Sequence, residues 1–376
     1  MQTTLTRTQE AAAAAPVAAS PTGLIWRIRR QFLAVDALLG GFLLVLILWS
    51  LLAQALPWLR LYPYDPQFQW AELPAGAMTA RLSLFLGVYL LAQRFGVRFH
   101  RDHYTTGKPA PIWLWLANLV YVLLPLLLVP LTFNMLGAFM AGTSGVPGVQ
   151  THPAFDPAQH YDRAATYWDL ALKQADISVC GGYWPAQARA LQQPWFTGLL
   201  MMCYVGYYIS PLVVIVPPIL RRRWTEVRRV AAVFAGTLLL TYVGYILIPA
   251  TGPRFEGTFA AWLPAEPGWF GQMWWAHTLD EAEVIRWDAF PSGHTAVSLI
   301  AVLLSMRHER KVGLAYLPCV LGLIVATVVL GYHYVTDVVF GIACAVAGML
   351  LVAPAARWWE SVWPPRPGDA AREQSQ

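Results

Sequence analysis

Charge is scarce in this sequence. Charged residues make up 12% of the 376, against about 25% in an ordinary soluble domain, while apolar residues reach 57%. That balance excludes a water-soluble globular fold and points to a chain made for lipid. Cysteine is rarer still. Of the four, Cys203, Cys319 and Cys344 lie inside apolar runs and Cys180 stands alone in a loop, so no disulfide framework is available. No Cys or His spacing resembles a zinc site, and neither a metal nor another cofactor is expected. Internal repeats are lacking as well, which argues against the paired-repeat architecture of many transporters. The formal charge of +5 could suggest nucleic acid, but Lys and Arg gather in short clusters at the ends of apolar runs and form no stripe. Nucleic-acid binding is therefore set aside.

What remains is a series of apolar runs, each read as a membrane-crossing helix: 33–56, 78–93, 112–136, 196–220, 230–249, 294–306, 312–330 and 338–354. The expected fold is all-α and polytopic, with about eight transmembrane helices. The run at 78–93 has a short uninterrupted apolar core and holds Arg81, which can snorkel to the interface. Pro211, Pro217 and Pro218 predict a kink or an early end in 196–220. Residues 1–30 read as a disordered tail rich in Ala, Thr, Gln and Pro, and 357–376 as a second polar tail. Between them lie an N-terminal helical pair (31–110) and a core (111–356) that carries a polar cap at 137–195, with an amphipathic helix expected around 161–176. The loop before Pro291 holds Trp262, Trp269, Trp274, Trp275 and Trp287, a density suited to headgroup depth.

Most of the 26 Lys and Arg fall on one side of an eight-helix topology, before the first run, in alternate loops and in the final tail. By the positive-inside rule that side is cytoplasmic. The opposite, extracytoplasmic side then receives three chemically notable residues. His294 ends the segment Pro291-Ser292-Gly293-His294, and His333 lies 39 residues on, after one crossing in and one crossing out. Asp337 follows His333 by four positions, one helical turn. Two histidines and a carboxylate at one membrane face suit phosphoryl transfer. Asp337 can orient His333 as nucleophile, and His294 can protonate the leaving oxygen and then deprotonate the incoming hydroxyl. Arg254 and Arg286, in the loop that delivers His294, offer planar donor forks for phosphate. Ser292 and Gly293 make a small-residue turn at a helix start, where backbone N–H groups and the helix dipole favour an anion.

These motifs resemble the phosphatidic acid phosphatase type 2 superfamily, whose second motif matches Pro291-Ser292-Gly293-His294 and whose third matches His333 to Asp337. The resemblance covers about residues 196–356, with the helix at 112–136 completing a six-helix core. It implies that His333 becomes phosphorylated, that His294 is the general acid and that Asp337 orients the nucleophile. It departs from the family pattern at two places. The first-motif Lys is absent, Pro253-Arg254 standing in reversed order, and Ala326-Thr327 replaces the Ser-Arg pair before the third motif, which leaves Arg286 to share the clamp. The Ala-Thr…His-Tyr-x-x-Asp form is similar to the inositol phosphorylceramide synthase branch and its bacterial relatives, which transfer phospho-headgroups between lipids. The expected substrate is a lipid phosphate or phospholipid in a bacterial cell membrane, hydrolysed or transferred. The competing expectation is a polytopic transporter or anion-binding protein without phosphoryl-transfer activity.

Overall fold

A backbone in lipid has no water to bond, so each apolar run must satisfy its own N–H and C=O groups by coiling into a helix. The computed structural model describes residues 23–55, 75–104, 112–144, 167–191, 193–253 and 287–362, and among them there is no strand. The helices are α1 Leu24–Arg29, α2 Ala34–Ala55, α3 Ala75–Tyr104, α4 Ile112–Ser144, α5 Tyr167–Cys180, α6 Pro194–Leu220, α7 Trp224–Leu247, α8 Gly293–His308, α9 Arg310–Val329 and α10 Val335–Glu360. Six of these (α2, α4, α6, α7, α9 and α10) are long and apolar enough to cross a membrane. The chain is an all-helical integral membrane protein.

The other two expected crossings, α3 and α8, fall outside that set for different reasons. α3 is 30 residues long, but Arg81, Gln93, Arg94 and the basic residues beyond them dilute its apolar character. It packs on α2 and α4. α8 has only 16 residues and carries Thr295, Ser298 and Ser305, all buried. These polar groups are tolerated because α6, α7, α9 and α10 surround the helix and keep it from lipid.

The proline-rich α6 breaks where its sequence requires. Pro211 offers no N–H, so the preceding turn tightens into a 3-10 segment at Gly206–Ile209 before the helix resumes at Ser210. Tyr316 of α9 donates its hydroxyl to the Gly206 carbonyl at 2.7 Å and lies 2.8 Å from the Ser210 hydroxyl, satisfying groups the break exposes. The break turns Tyr207 toward the start of α8.

Two polar ends bracket the bundle. At one end, Arg228 bonds Glu360 at 2.8 Å, Glu360 accepts the Ala34 N–H at 3.0 Å, and Arg29 binds the Trp358 and Trp359 carbonyls. Arg221 and Arg223 pair with Glu309 at the same end. These contacts fasten α1 and α2 to the last turn of α10. The opposite end holds both histidines.

Candidate active site

The opening of α8 is fixed by its own first residues. Ser292 is the N-cap, its hydroxyl accepting the Thr295 N–H at 3.2 Å. Its backbone N–H donates to the Asp337 carbonyl at 2.9 Å, which ties the start of α8 to the first turn of α10. Neither neighbour leaves space for a side chain at this crossing. A Cβ on Gly293 would run into the Tyr245 hydroxyl, and one on Gly341 would stand 2.6 Å from the Ser292 carbonyl oxygen. Of the two residues expected to cradle phosphate, Ser292 therefore spends its hydroxyl on the cap. Gly293 presents a first-turn N–H at the helix N-terminus.

The fold brings His294 and His333 together. His333 Nε2 lies 3.4 Å from His294 Nδ1, with the rings steeply inclined at 61°. His333 Nδ1 lies 2.8 Å from the Ala289 carbonyl oxygen. A carbonyl only accepts, so Nδ1 carries the proton and the neutral ring presents its lone pair at Nε2. Asp337 Oδ2 stands 3.5 Å from the same Nδ1 and accepts the Tyr334 N–H at 2.8 Å. The orienting hydrogen bond thus goes to a backbone carbonyl, and the carboxyl expected to make it stands behind as a helix cap. Asp337 is fully buried, and its Oδ1 has no hydrogen-bond partner among the described residues. His294 is held between aromatic rings, with Tyr204 stacked at 4.5 Å and Tyr207 at 4.4 Å. Tyr204 stacks in turn on Tyr332 at 4.3 Å.

Two aspartates that sequence reasoning passed over complete the frame. Asp169 and Asp176 lie seven positions apart, two turns, on the inner face of α5, and both are buried. Asp169 accepts from the Thr251 and Gly252 N–H groups (3.0 and 2.8 Å) and from the Thr251 and Tyr334 hydroxyls. Asp176 accepts from the Val335 and Thr336 N–H groups, both at 2.8 Å, and from the Thr336 hydroxyl. The cap helix is thereby pinned to the segment after α7 and to the first turn of α10, beside His333. The i, i+7 pair of acids on one amphipathic face was the available signal.

A cavity of about 370 Å³ opens beside His294 between α4, α6, α7 and α8. Its apolar lining includes Leu126, Phe234, Leu238 and Val297. Its polar lining is Tyr207, Tyr208, Tyr242, Tyr245, Asp288 and His294, with Gly293 beside them. Asp288 is half-buried there, and burial pushes its carboxyl up to about 7. Arg254 and Arg286, expected as phosphate ligands, lie outside the described residues, as do Trp262, Trp269, Trp274 and Trp275. Among the described residues no cluster of His, Cys, Asp and Glu is arranged to hold a metal.

Fold and site together define an integral membrane protein with two facing histidines where two crossing helices begin. Residues 180–351 match the model of the PAP2 superfamily. The match runs from the end of α5 into α10, takes in His294, His333 and Asp337, and leaves α1 to α4 and the two framing aspartates of α5 outside. It supports the superfamily, and with it a membrane enzyme of the phosphatase or phosphotransferase type. No curated protein and no solved structure matches the chain.

Proposed function

We propose that this protein moves a phosphoryl group carried by a lipid, through a phosphohistidine at His333, on the extracytoplasmic face of a bacterial cell membrane. The observation that carries the reading is the facing pair itself: a lone-pair nitrogen on His333, oriented by a carbonyl, and a second imidazole 3.4 Å away. In the first step Nε2 of His333 attacks phosphorus, a P–N bond forms and the P–O bond to the lipid breaks. His294 gives its proton to the departing oxygen. In the second step a hydroxyl oxygen attacks phosphorus, the P–N bond breaks and His294 takes the hydroxyl proton. Water as acceptor gives hydrolysis and a lipid alcohol gives transfer. Asp337, close to Nδ1, offsets the positive charge that His333 gains when Nε2 is bonded to phosphorus. Arg254, Arg286, the N–H groups at the start of α8 and Ser292 behind them form the phosphate-binding side of this proposal. The two rings stand too close for phosphorus to lie between them, so binding must part them.

The apolar lining of the cavity beside His294 suits a lipid chain, which supports a membrane-borne substrate. The motif form, similar to the inositol phosphorylceramide synthase branch, favours transfer to a lipid hydroxyl. The test is purified protein in detergent with a panel of lipid phosphates and phospholipids, following free phosphate and new lipids together. His333→Ala should abolish both products while the protein still inserts and purifies as a folded species. An acid-labile, alkali-stable phosphoenzyme should form on the parent and be missing from the variant. Full turnover by His333→Ala would end the proposal, and solute flux without any phosphate product would put a transporter in its place.

A further inference from the structure

Among the described residues, the mechanism above leaves the one acid that lines the cavity without work. Asp288 lies between Trp287 and Ala289, the residue whose carbonyl holds His333, and its carboxyl lines the same cavity as His294. It has no side-chain partner among the described residues. The tyrosine and phenylalanine rings that line the same cavity are Tyr207 and Tyr208 from α6, Tyr242 and Tyr245 from α7, Phe133 from α4 and Phe234 from α7. Phe133, Tyr242 and Tyr245 form one cluster, with centroids 5.6, 5.8 and 6.1 Å apart. An acid in this position works against the proposed substrate. An anionic phosphate at His294 and an anionic carboxylate in one poorly solvated cavity repel, and burial already resists ionisation of the carboxyl. Three ligand chemistries could meet Asp288. A second anion is disfavoured by charge. A neutral polyol would hydrogen-bond the carboxylate yet leave two negative charges side by side. An ammonium group answers both demands, since it pairs with the carboxylate and is attracted to the faces of surrounding tyrosine and phenylalanine rings.

We propose that Asp288, with Tyr207, Tyr242 and Tyr245, forms a subsite for a cationic headgroup, so that the donor is a phospholipid whose phosphodiester carries an amine or quaternary ammonium. This rests on the phosphoryl-transfer reading for what happens next: the phospho-headgroup passes to His333 as the P–O bond to the diacylglycerol oxygen breaks, and His294 protonates that oxygen. The headgroup's positive charge then stays beside Asp288 while the phosphodiester's negative charge faces the histidines. Asp288 acts as a specificity-determining residue and takes no proton from the reacting atoms.

The test separates binding from turnover. Hexylphosphocholine and hexylphosphoglycerol share the chain and the phosphodiester and differ in the charge of the head. Their binding to the full-length protein in maltoside detergent is measured by calorimetry, for the parent, for Asp288→Asn and for His333→Ala. The expected result is about tenfold tighter binding of the phosphocholine by the parent and by His333→Ala, with the difference erased in Asp288→Asn. Equal binding by the parent, or tighter binding of the phosphoglycerol, overturns the proposal, the second outcome marking a polyol subsite. A preference that persists in Asp288→Asn also overturns it. If that variant does not fold, the parent comparison still decides. A phosphocholine preference with no turnover of any phospholipid would leave the subsite standing and remove the reaction. Turnover that prefers phosphatidylglycerol would do the reverse.

Discussion

At the residue scale, the arrangement around His333 divides two jobs that one carboxylate was expected to do. The Ala289 carbonyl fixes the tautomer, so removing the charge of Asp337 should leave the ring oriented and the nucleophilic nitrogen exposed. Asp337→Asn retains an oxygen that can accept the Tyr334 N–H, which preserves the cap of α10. The expected loss is in kcat, about 10- to 100-fold, with KM little changed and the loss smaller than in His333→Ala, because only the charge opposite the developing imidazolium is gone. An equal collapse in both variants would show that the carboxylate, and not the carbonyl, orients the ring. Asp288 yields a prediction of a different kind. Burial pushes its carboxyl up to about 7 in the folded protein against 3.8 ordinarily, and the titratable groups that share its cavity are Tyr207, Tyr208, Tyr242, Tyr245 and His294. The folded state therefore binds more protons than the unfolded one between about pH 4 and 7, and this group's contribution falls as pH rises through that window. Asp288→Asn should raise the melting temperature in detergent at pH 8 and leave it nearly unchanged at pH 4. An equal shift at both values would refute the assignment.

At the scale of elements, the cap helix α5 supports, from outside the membrane-crossing core, the loop that carries His333. Asp176 holds the first two N–H groups of α10, the turn that follows His333 directly. Asp176→Ala should lower kcat while the melting temperature drops by a few degrees. Asp176→Asn, which keeps one acceptor, should recover part of the rate, whereas a purely structural role would move stability and leave the rate per folded molecule unchanged. The sequence made some of these elements plain and concealed others, for physical reasons. A run such as 312–330 has no way to fold in lipid except as a helix, and Arg310–Val329 follows it to within two residues at either end. His333 and Asp337 announce themselves through a one-turn spacing at the edge of an apolar run. Asp169 and Asp176 show only as an i, i+7 pair of acids on one helix face, and what they hold stays hidden, because their backbone N–H partners lie 82 to 160 residues away and carry no sequence signature. Asp288 escaped notice for the opposite reason: an acid in a loop beside a motif looks like a solvated surface residue until the cavity next to it is seen. The kink in α6 was foreseeable from Pro211, but not its purpose of bringing Tyr207 to 4.4 Å from His294.

For the whole molecule, the two polar ends separate stability from chemistry and make the topology testable. The end away from the histidines holds the Arg228–Glu360 pair, 4% and 2% exposed, which fastens α7 to the last turn of α10 while Glu360 also caps α2 through Ala34. Removing one partner of a buried pair strands the other charge, so Arg228→Ala should destabilise the protein by about 3 to 5 kcal/mol in a detergent melt without altering kcat of the surviving fold. The histidine end carries the only cysteine outside the six apolar spans. Cys180 closes α5 and is partly exposed, whereas Cys203, Cys319 and Cys344 lie within α6, α9 and α10. The proposed orientation places α5 outside the cytoplasm, because the basic clusters at 221–229 and 307–311 lie at the other end of the bundle. A charged, membrane-impermeant maleimide added to intact cells stripped of their outer barrier should then label the unaltered protein at Cys180, and Cys180→Ser should take up none. Labelling that begins only after the membrane is opened would turn the protein over. The paired histidines would then face the cytoplasm, and soluble nucleotide phosphates, which an outward-facing site cannot reach, would enter the list of donors to be tried.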